Sequence, residues 1–350
     1  MVRGFLVLEN GTVLEGVSFG HDSTVLGEMV FTTCMSGYQE SITDPAYRGR
    51  ILVSAFPLVG DYGVNERFAL SDDIHVSGLI VREYSKEPSE MYGKITLGDH
   101  LKAHKIPGIS GIDTRDLVTM IRTEGTIRAA IVFDEKEVAN VKKKFSGKKD
   151  DVNLVGLVSL KEIKKINNKK GISVGIIDCG VDRGLIKDLS ERYDLVMFPY
   201  NVPAKDIKAS GIKALIVSNG PGDPAHPDVA VTVNTVKELS SSLPIIGLSF
   251  GAQIIALAFG CKTTKMKFGH HGCNQPVKLG KRVHITTQNH LYNIDENSFK
   301  GTGLIIDQVN VNDGTPEGFS HEKLPVIGIQ YTPLHRNMRK IRSSMLLWIK

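Results

Sequence analysis

Over the first third of the chain, apolar and polar positions alternate in short runs. Phe5-Leu6-Val7-Leu8-Glu9 and Thr12-Val13-Leu14-Glu15 flank Asn10-Gly11. Asn-Gly between apolar runs predicts a hairpin whose two turn positions take positive φ. Residues 29–33, 51–55, 77–81 and 129–133 are further strand candidates. Between the last two, Leu117, Met120 and Ile121 recur at helical spacing and predict a helix over 114–123.

From residue 172 the pattern changes. Strands at 174–177, 195–198, 214–217 and 244–248 are interspersed with helices at 184–192, 229–239 and 253–259. This order implies right-handed βαβ units and a parallel sheet. Ligands of such sheets bind beyond the carboxyl ends of the strands, so chemistry is expected in the loops after Val217 and Leu248. The intervening residues 136–171 are lysine-rich and poor in aromatics. They are expected to form a linker with one short strand at 154–158. Two domains follow, a β-rich α/β unit over 1–135 and an open parallel sheet over 172–350.

Composition supports this division. A length of 350 residues suits two domains, and 41% hydrophobic with 23% charged residues is a globular balance. No apolar run approaches the roughly 18 residues of a membrane span, and Phe5 to Leu8 is too short for a signal-peptide core. A cytoplasmic protein without a membrane partner is expected. Cys34, Cys179, Cys261 and Cys273 show no paired metal-ligand spacing and are expected as free thiols. The net charge of +5 comes with lysine clusters at 142–144, 148–149, 164–165 and 169–170. These lack interleaved aromatics, so a solvated linker is preferred over a nucleic-acid surface.

Two loops carry candidate chemistry. Ser218-Asn219-Gly220-Pro221-Gly222-Asp223-Pro224 exposes backbone N–H groups able to bind an oxyanion, although an ordinary turn has the same composition. Gly247-Leu248-Ser249-Phe250-Gly251-Ala252-Gln253 is G-x-S-x-G between a strand and a helix, the nucleophile-elbow pattern. A helix starting there aims its positive end at Ser249. A serine nucleophile needs a base. His270, His271, His284, His290, His321 and His335 all follow, and their spacing selects none. No Cys, Asp or Glu stands at ligand spacing from His270-His271, so no metal is expected.

The run Ser218 to Pro224, the elbow at Ser249, Lys265-Met266-Lys267-Phe268-Gly269-His270-His271-Gly272 and Gln288-Asn289-His290 together resemble the class I glutamine amidotransferase domain of carbamoyl phosphate synthetase small subunits. In the first half, Phe31-Thr-Thr-Cys-Met-Ser-Gly-Tyr-Gln-Glu40 with Thr43-Asp44-Pro45, and Gly111-Ile-Asp-Thr-Arg115, resemble the small-subunit N-terminal domain. The likeness covers nearly the whole chain and implies a flavodoxin-like sheet in its second half. It also implies a function. The small subunit hydrolyses glutamine, and ammonia passes to a large subunit that joins it to bicarbonate using ATP. The product feeds pyrimidine and arginine synthesis. The implied partner is the large subunit, which carries ATP and its metal. No cofactor is implied for this chain.

The family's glutaminase uses a Cys on the elbow and a His and a Glu in a Q-G-H-P-E pattern. Here Ser249 stands at the Cys position, Thr332 at the His position and Leu334 at the Glu position. The glutamine-contacting Ser after Asp-Pro is Ala46. In the Q-N-H-G-F pattern Leu291 replaces Gly, and Tyr292 follows. Asp182 and Gly184 replace the Lys and Asn of D-x-G-x-K-x-N. Gly220, Gly222, Gln253 and Asn289 are kept, and the implied oxyanion donors are backbone N–H groups of the Gly222 loop and of Phe250. A thiol ionises readily at a helix N-terminus, whereas an alcohol depends on a base. Thr332 is not one. The expectation is a chain without useful glutaminase, acting as scaffold or regulator of an ammonia-using enzyme. The alternative is a rewired glutaminase, with His335 as its base, or a serine hydrolase, either working through Ser249.

Overall fold

A computed structural model describes residues 2–89, 93–147, 151–167 and 171–332. The chain divides between Val152 and Asn153 into two compact units.

The first unit holds strands β1 (Arg3–Leu8), β2 (Val13–Ser18), β3 (Val25–Thr32), β4 (Arg50–Ser54), β5 (Leu58–Val59), β6 (Gly78–Ile80), β7 (Glu83–Tyr84), β8 (Gly108–Ser110) and β9 (Ile127–Val132). Its helices are α1 (Tyr38–Thr43), α2 (Leu97–Ala103), α3 (Thr114–Glu124) and α4 (Glu135–Phe145). Seven strands close a barrel in the order β1-β2-β8-β6-β4-β3-β9, while β5 and β7 pair separately. The predicted hairpin forms, with a different turn. Gly11 donates its N–H to the Leu8 carbonyl at 3.0 Å, and Leu8 donates to Thr12 at 2.9 Å. Gly11 alone of the turn pair takes positive φ, at 94°. This is a three-residue loop closed by a glycine bulge, which asks left-handed backbone of Gly11 but not of Asn10.

The stretch expected to be a linker carries two helices. α4 starts at the cap Asp134, whose side chain accepts the Lys136 N–H at 2.9 Å. It buries Val141 and Phe145 against Phe5, Val7, Ala130 and Val132. Lys142, Lys143 and Lys144 fall in its last turn, where positive charge complements the helix dipole. The predicted strand at 154–158 is instead helix α5 (Leu154–Val158), capped by Asn153, which accepts the Gly156 N–H at 3.0 Å. Local capping outweighed the β-branched content of a five-residue run.

The second unit continues with β10 (Lys164–Ile166), β11 (Ser173–Asp178), α6 (Arg183–Ser190), β12 (Asp194–Pro199), α7 (Ala204–Ala209), β13 (Ala214–Val217), α8 (Ala230–Leu239), β14 (Ile245–Leu248) and α9 (Phe250–Ala258). Then come β15 (Thr263–Leu279), β16 (Arg282–Ile294), β17 (Leu304–Asn310), β18 (Pro316–His321) and β19 (Val326–Ile329). One sheet runs β10-β12-β11-β13-β14-β19-β18-β17-β15-β16. Its centre, β12-β11-β13-β14-β19, is parallel. Both faces of that centre are covered, as the near-continuous apolar strands require. Ile177, Leu215, Val217 and Ile245 pack with Val236, Ile254 and Ile255 on one side. Val174, Ile176, Ile216 and Ile246 pack with Leu185 and Leu189 on the other. Beyond β19 the sheet turns antiparallel. Among the described residues no helix is long and apolar enough to cross a membrane.

Candidate functional site

The elbow forms between β14 and α9. Ser249 has φ 50° and ψ −108°, and with Lys105 it is one of two non-glycine residues of positive φ among those described. The flanking glycines make the turn possible. A Cβ on Gly247 would meet the Gly251 carbonyl carbon at 2.5 Å, and one on Gly251 would meet the Val217 carbonyl oxygen at 2.0 Å. Strand, turn and helix therefore cross with no room for side chains at these two positions. Strain held in this way is a mark of functional sites. Ser249 is buried, and among the described residues its hydroxyl has no hydrogen-bond partner. No described histidine or carboxylate therefore lies within reach of that oxygen.

The second loop closes over the end of β11. Ser218 accepts the Cys179 N–H at 2.9 Å and donates to the Asn219 carbonyl at 2.8 Å. A Cβ on Gly220 would sit 2.2 Å from the Cys179 carbonyl oxygen, and Gly222 has φ 94°. Asp182 caps α6 by accepting the Leu185 N–H at 2.8 Å.

Gln253 and Tyr292 meet. Gln253, one turn into α9 and buried, donates from Nε2 to the Tyr292 carbonyl at 2.7 Å and to Gln330 Oε1 at 3.2 Å. Gln330 reaches on to Asn293 Oδ1 at 3.3 Å. Asn289 Oδ1 lies 2.8 Å from His271 Nδ1, and Leu291 is buried, as is Phe250 at the start of α9. Thr332 donates its backbone N–H to the Thr287 carbonyl at 2.9 Å. Ala46 lies in the first unit, in the turn Pro45–Tyr47, donating its N–H to Asp44 Oδ1 at 2.9 Å. Leu334 and His335 fall outside the described residues.

A buried polar cluster, not foreseen from the sequence, adjoins Asn289. His270 Nε2 lies 2.9 Å from Asp313 Oδ2, and its Nδ1 lies 2.8 Å from Gln288 Oε1 and 3.3 Å from Glu317 Oε1. His290 Nε2 lies 2.9 Å from the same Gln288 oxygen, and its Nδ1 lies 2.9 Å from the Tyr292 carbonyl. Burial pulls the His270 imidazole down, but its bonds to Asp313 and Glu317 outweigh that and carry it to about 9. Burial and the charge of His270 push His290 down to about 4. Asp313, raised by burial, is lowered more strongly by His270 and Thr315, to about 2. Glu317 and Asp313 escaped the sequence reading because antiparallel β18 and the turn before it bring them in from more than 40 residues downstream.

Both halves of the chain match known families. Residues 6–131 match the CPSase domain of the carbamoyl-phosphate synthase small chain, and residues 175–336 match class-I glutamine amidotransferase. The chain is 40% identical over 337 residues to the carbamoyl phosphate synthase small chain of Archaeoglobus fulgidus, covering 95% of this chain and 93% of that one. It is 41% identical over 335 residues to the one of Caldanaerobacter subterraneus subsp. tengcongensis, covering 95% and 91%. For the one of Methanopyrus kandleri the identity is 40% over 343 residues, covering 95% and 94%. Likeness of this depth over both domains shows that the chain belongs to the carbamoyl phosphate synthase small-chain family.

Proposed function

We propose that this chain is the partner of a large subunit in carbamoyl phosphate synthesis, that it has lost its own glutaminase step, and that ammonia from solution supplies the nitrogen. The carrying observation is the hydroxyl of Ser249: the elbow is formed, yet among the described residues its oxygen has no partner that would take its proton. An alcohol without a base stays protonated at neutral pH and attacks a carboxamide too slowly to matter. Backbone donors alone leave a residual acceleration of order 10³ to 10⁴ over water in a comparable triad enzyme. Thr332 brings a second alcohol, not an imidazole. Leu291 adds a side chain where the family pattern has none, which crowds a glutamine substrate.

The retained framework supports a role in holding the partner. An elbow kept in strained geometry, with Gln253 tied to Tyr292 and Gln330, is a rigid interior framework that does not depend on turnover. The test reconstitutes the chain with its large subunit and compares carbamoyl phosphate synthesis on glutamine and on ammonium at matched concentration. Synthesis with ammonium alone is expected. Comparable synthesis with glutamine would overturn the reading and send the search for a base to His335.

A further inference from the structure

We infer that His270, His290 and Glu317 form a binding site for one divalent transition-metal ion, zinc by preference, with Gln288 Oε1 as its fourth ligand. One ring nitrogen of His270, one of His290 and a Glu317 oxygen lie within 4.8 Å of one another, and all three residues are buried. The inference is independent of whether the elbow hydrolyses glutamine.

Donor counting carries the argument. A neutral imidazole has one N–H and one lone pair. Both nitrogens of His290 face carbonyl oxygens at 2.9 Å, Tyr292 on one side and Gln288 on the other. A neutral ring therefore points one lone pair at an oxygen. Turning the Gln288 amide over costs a bond elsewhere. A turned amide would bring its oxygen to the Thr286 hydroxyl, which lies 3.1 Å from Nε2 now, and would draw that hydroxyl's proton away from the Gln275 carbonyl 2.9 Å off. With the Thr286–Gln275 bond kept, the inward Gln288 atom is the oxygen. A second proton on His290 would set two imidazolium rings edge to face with centroids 5.1 Å apart. A proton on His270 suits that ring, between Asp313 and Glu317, but leaves His290 unexplained. It also leaves Glu317 Oε2, buried and without a partner.

A single cation among these atoms resolves all of this. His270 then keeps its Nε2–H for Asp313, and His290 keeps its Nδ1–H for the Tyr292 carbonyl. This is the outer arrangement that metal-bound histidines adopt, the far N–H given to a carboxylate or a backbone carbonyl. The inner nitrogens give their lone pairs to the ion. Tetrahedral zinc, with bonds of about 2.0–2.1 Å, sets its ligand atoms about 3.3 Å apart. Three of the inward separations are 2.8, 2.9 and 3.3 Å. Asp313 and Glu317 balance a charge of two. Two imidazoles with two oxygens select zinc, cobalt or nickel over magnesium or calcium. The carboxylate comes from β18 and the histidines from β15 and β16, so the ion would pin the strand that carries Asn289.

The test uses the full chain, stripped with a chelator and re-equilibrated with zinc alone, with bound metal measured by mass spectrometry. One zinc per chain is expected. Glu317→Gln and His290→Gln, checked for folding by circular dichroism, should each weaken zinc binding at least about tenfold. Should neither variant fold, X-ray absorption of the zinc-loaded wild-type chain decides, with two imidazole ligands expected. Failure to retain zinc at micromolar free metal would overturn the site. So would variants that bind as tightly as wild type, or an absorption spectrum without imidazole scattering.

Discussion

Ser249 donates its backbone N–H to the Ile329 carbonyl at 2.7 Å. The elbow is thereby fastened to the end of β19, three residues before Thr332. A histidine at 332 would stand on the same tether as the nucleophile, so on the proposed reading Thr332 leaves Ser249 without a base while the turn is kept. Nucleophile, base and orienter act as a unit, and single repairs are grossly non-additive. Ser249→Cys alone should therefore leave glutamine hydrolysis within about tenfold of background. Ser249→Cys with Thr332→His and Leu334→Glu should exceed that single variant by about 100-fold or more. Ammonia release from glutamine is the assay, and robust turnover by the single variant would mean that a base already exists.

The elbow's glycines make a steric prediction. A Cβ on Gly251 falls 2.0 Å from the Val217 carbonyl oxygen and 3.0 Å from that of Ser218, both backbone atoms that cannot rotate away. Gly251→Ala should cost about 3 kcal/mol or more, or yield no soluble protein. Gly11→Ala is the comparison. Its Cβ meets nothing within 4 Å, but its backbone is left-handed, so about 1 kcal/mol is expected. Urea unfolding of the two variants reads the difference, and equal losses would contradict the close-approach argument.

The contrast between these two sites also marks what the sequence could carry. G-x-S-x-G between an apolar strand and an apolar helix announces its geometry locally, because steric exclusion at Gly247 and Gly251 acts over a few residues. The βαβ alternation from residue 172 is likewise local in origin. The closure of the first sheet is not, since β1 must meet β9 about 125 residues away in sequence. β15 hid for another reason. Its 17 residues include Gly269 and Pro276, and its pairing with β16 shifts register twice, so period-2 alternation is broken. In α4 the lysines masked the apolar face made by Val141 and Phe145. Spacing around His270-His271 did not reveal the buried cluster, because Glu317 reaches His270 through the sheet and not along the chain.

His75 predicts an acid limb in stability. Its Nε2 lies 3.0 Å from Ser71 Oγ, whose proton is engaged with the Thr43 and Asp73 carbonyls, and its Nδ1 is buried without a partner. The ring is therefore neutral, donating from Nε2. Burial, with Arg48 adding to it, lowers its pKa from 6.5 to about 4. A depressed folded-state pKa means that the unfolded chain takes up the proton first. The contribution is present above pH 6.5 and is lost as pH falls from there towards 4. The loss should reach about 2 kcal/mol by pH 5. Guanidinium midpoints of wild type and His75→Gln between pH 7 and 5 measure it, and the variant should show the flatter profile. Parallel profiles would mean that His75 titrates normally.

The barrel carries its own test in Glu28 and Arg50. They are Cα partners on β3 and β4, form an ion pair, and are both buried. Thr126 Oγ1 adds a bond to Glu28 Oε1 at 2.7 Å. Two charges removed from water are held by each other, so their joint contribution is small while their mutual dependence is large. Glu28→Gln should cost about 3–5 kcal/mol, because it leaves the guanidinium buried against a neutral amide. Replacing both with leucine should recover most of that loss, since no charge is then stranded and the strands keep their apolar faces. A double-mutant cycle in guanidinium chloride separates the coupling from the single costs. A Glu28→Gln loss below about 1 kcal/mol would show that water reaches Arg50 and that the pair is not buried in solution.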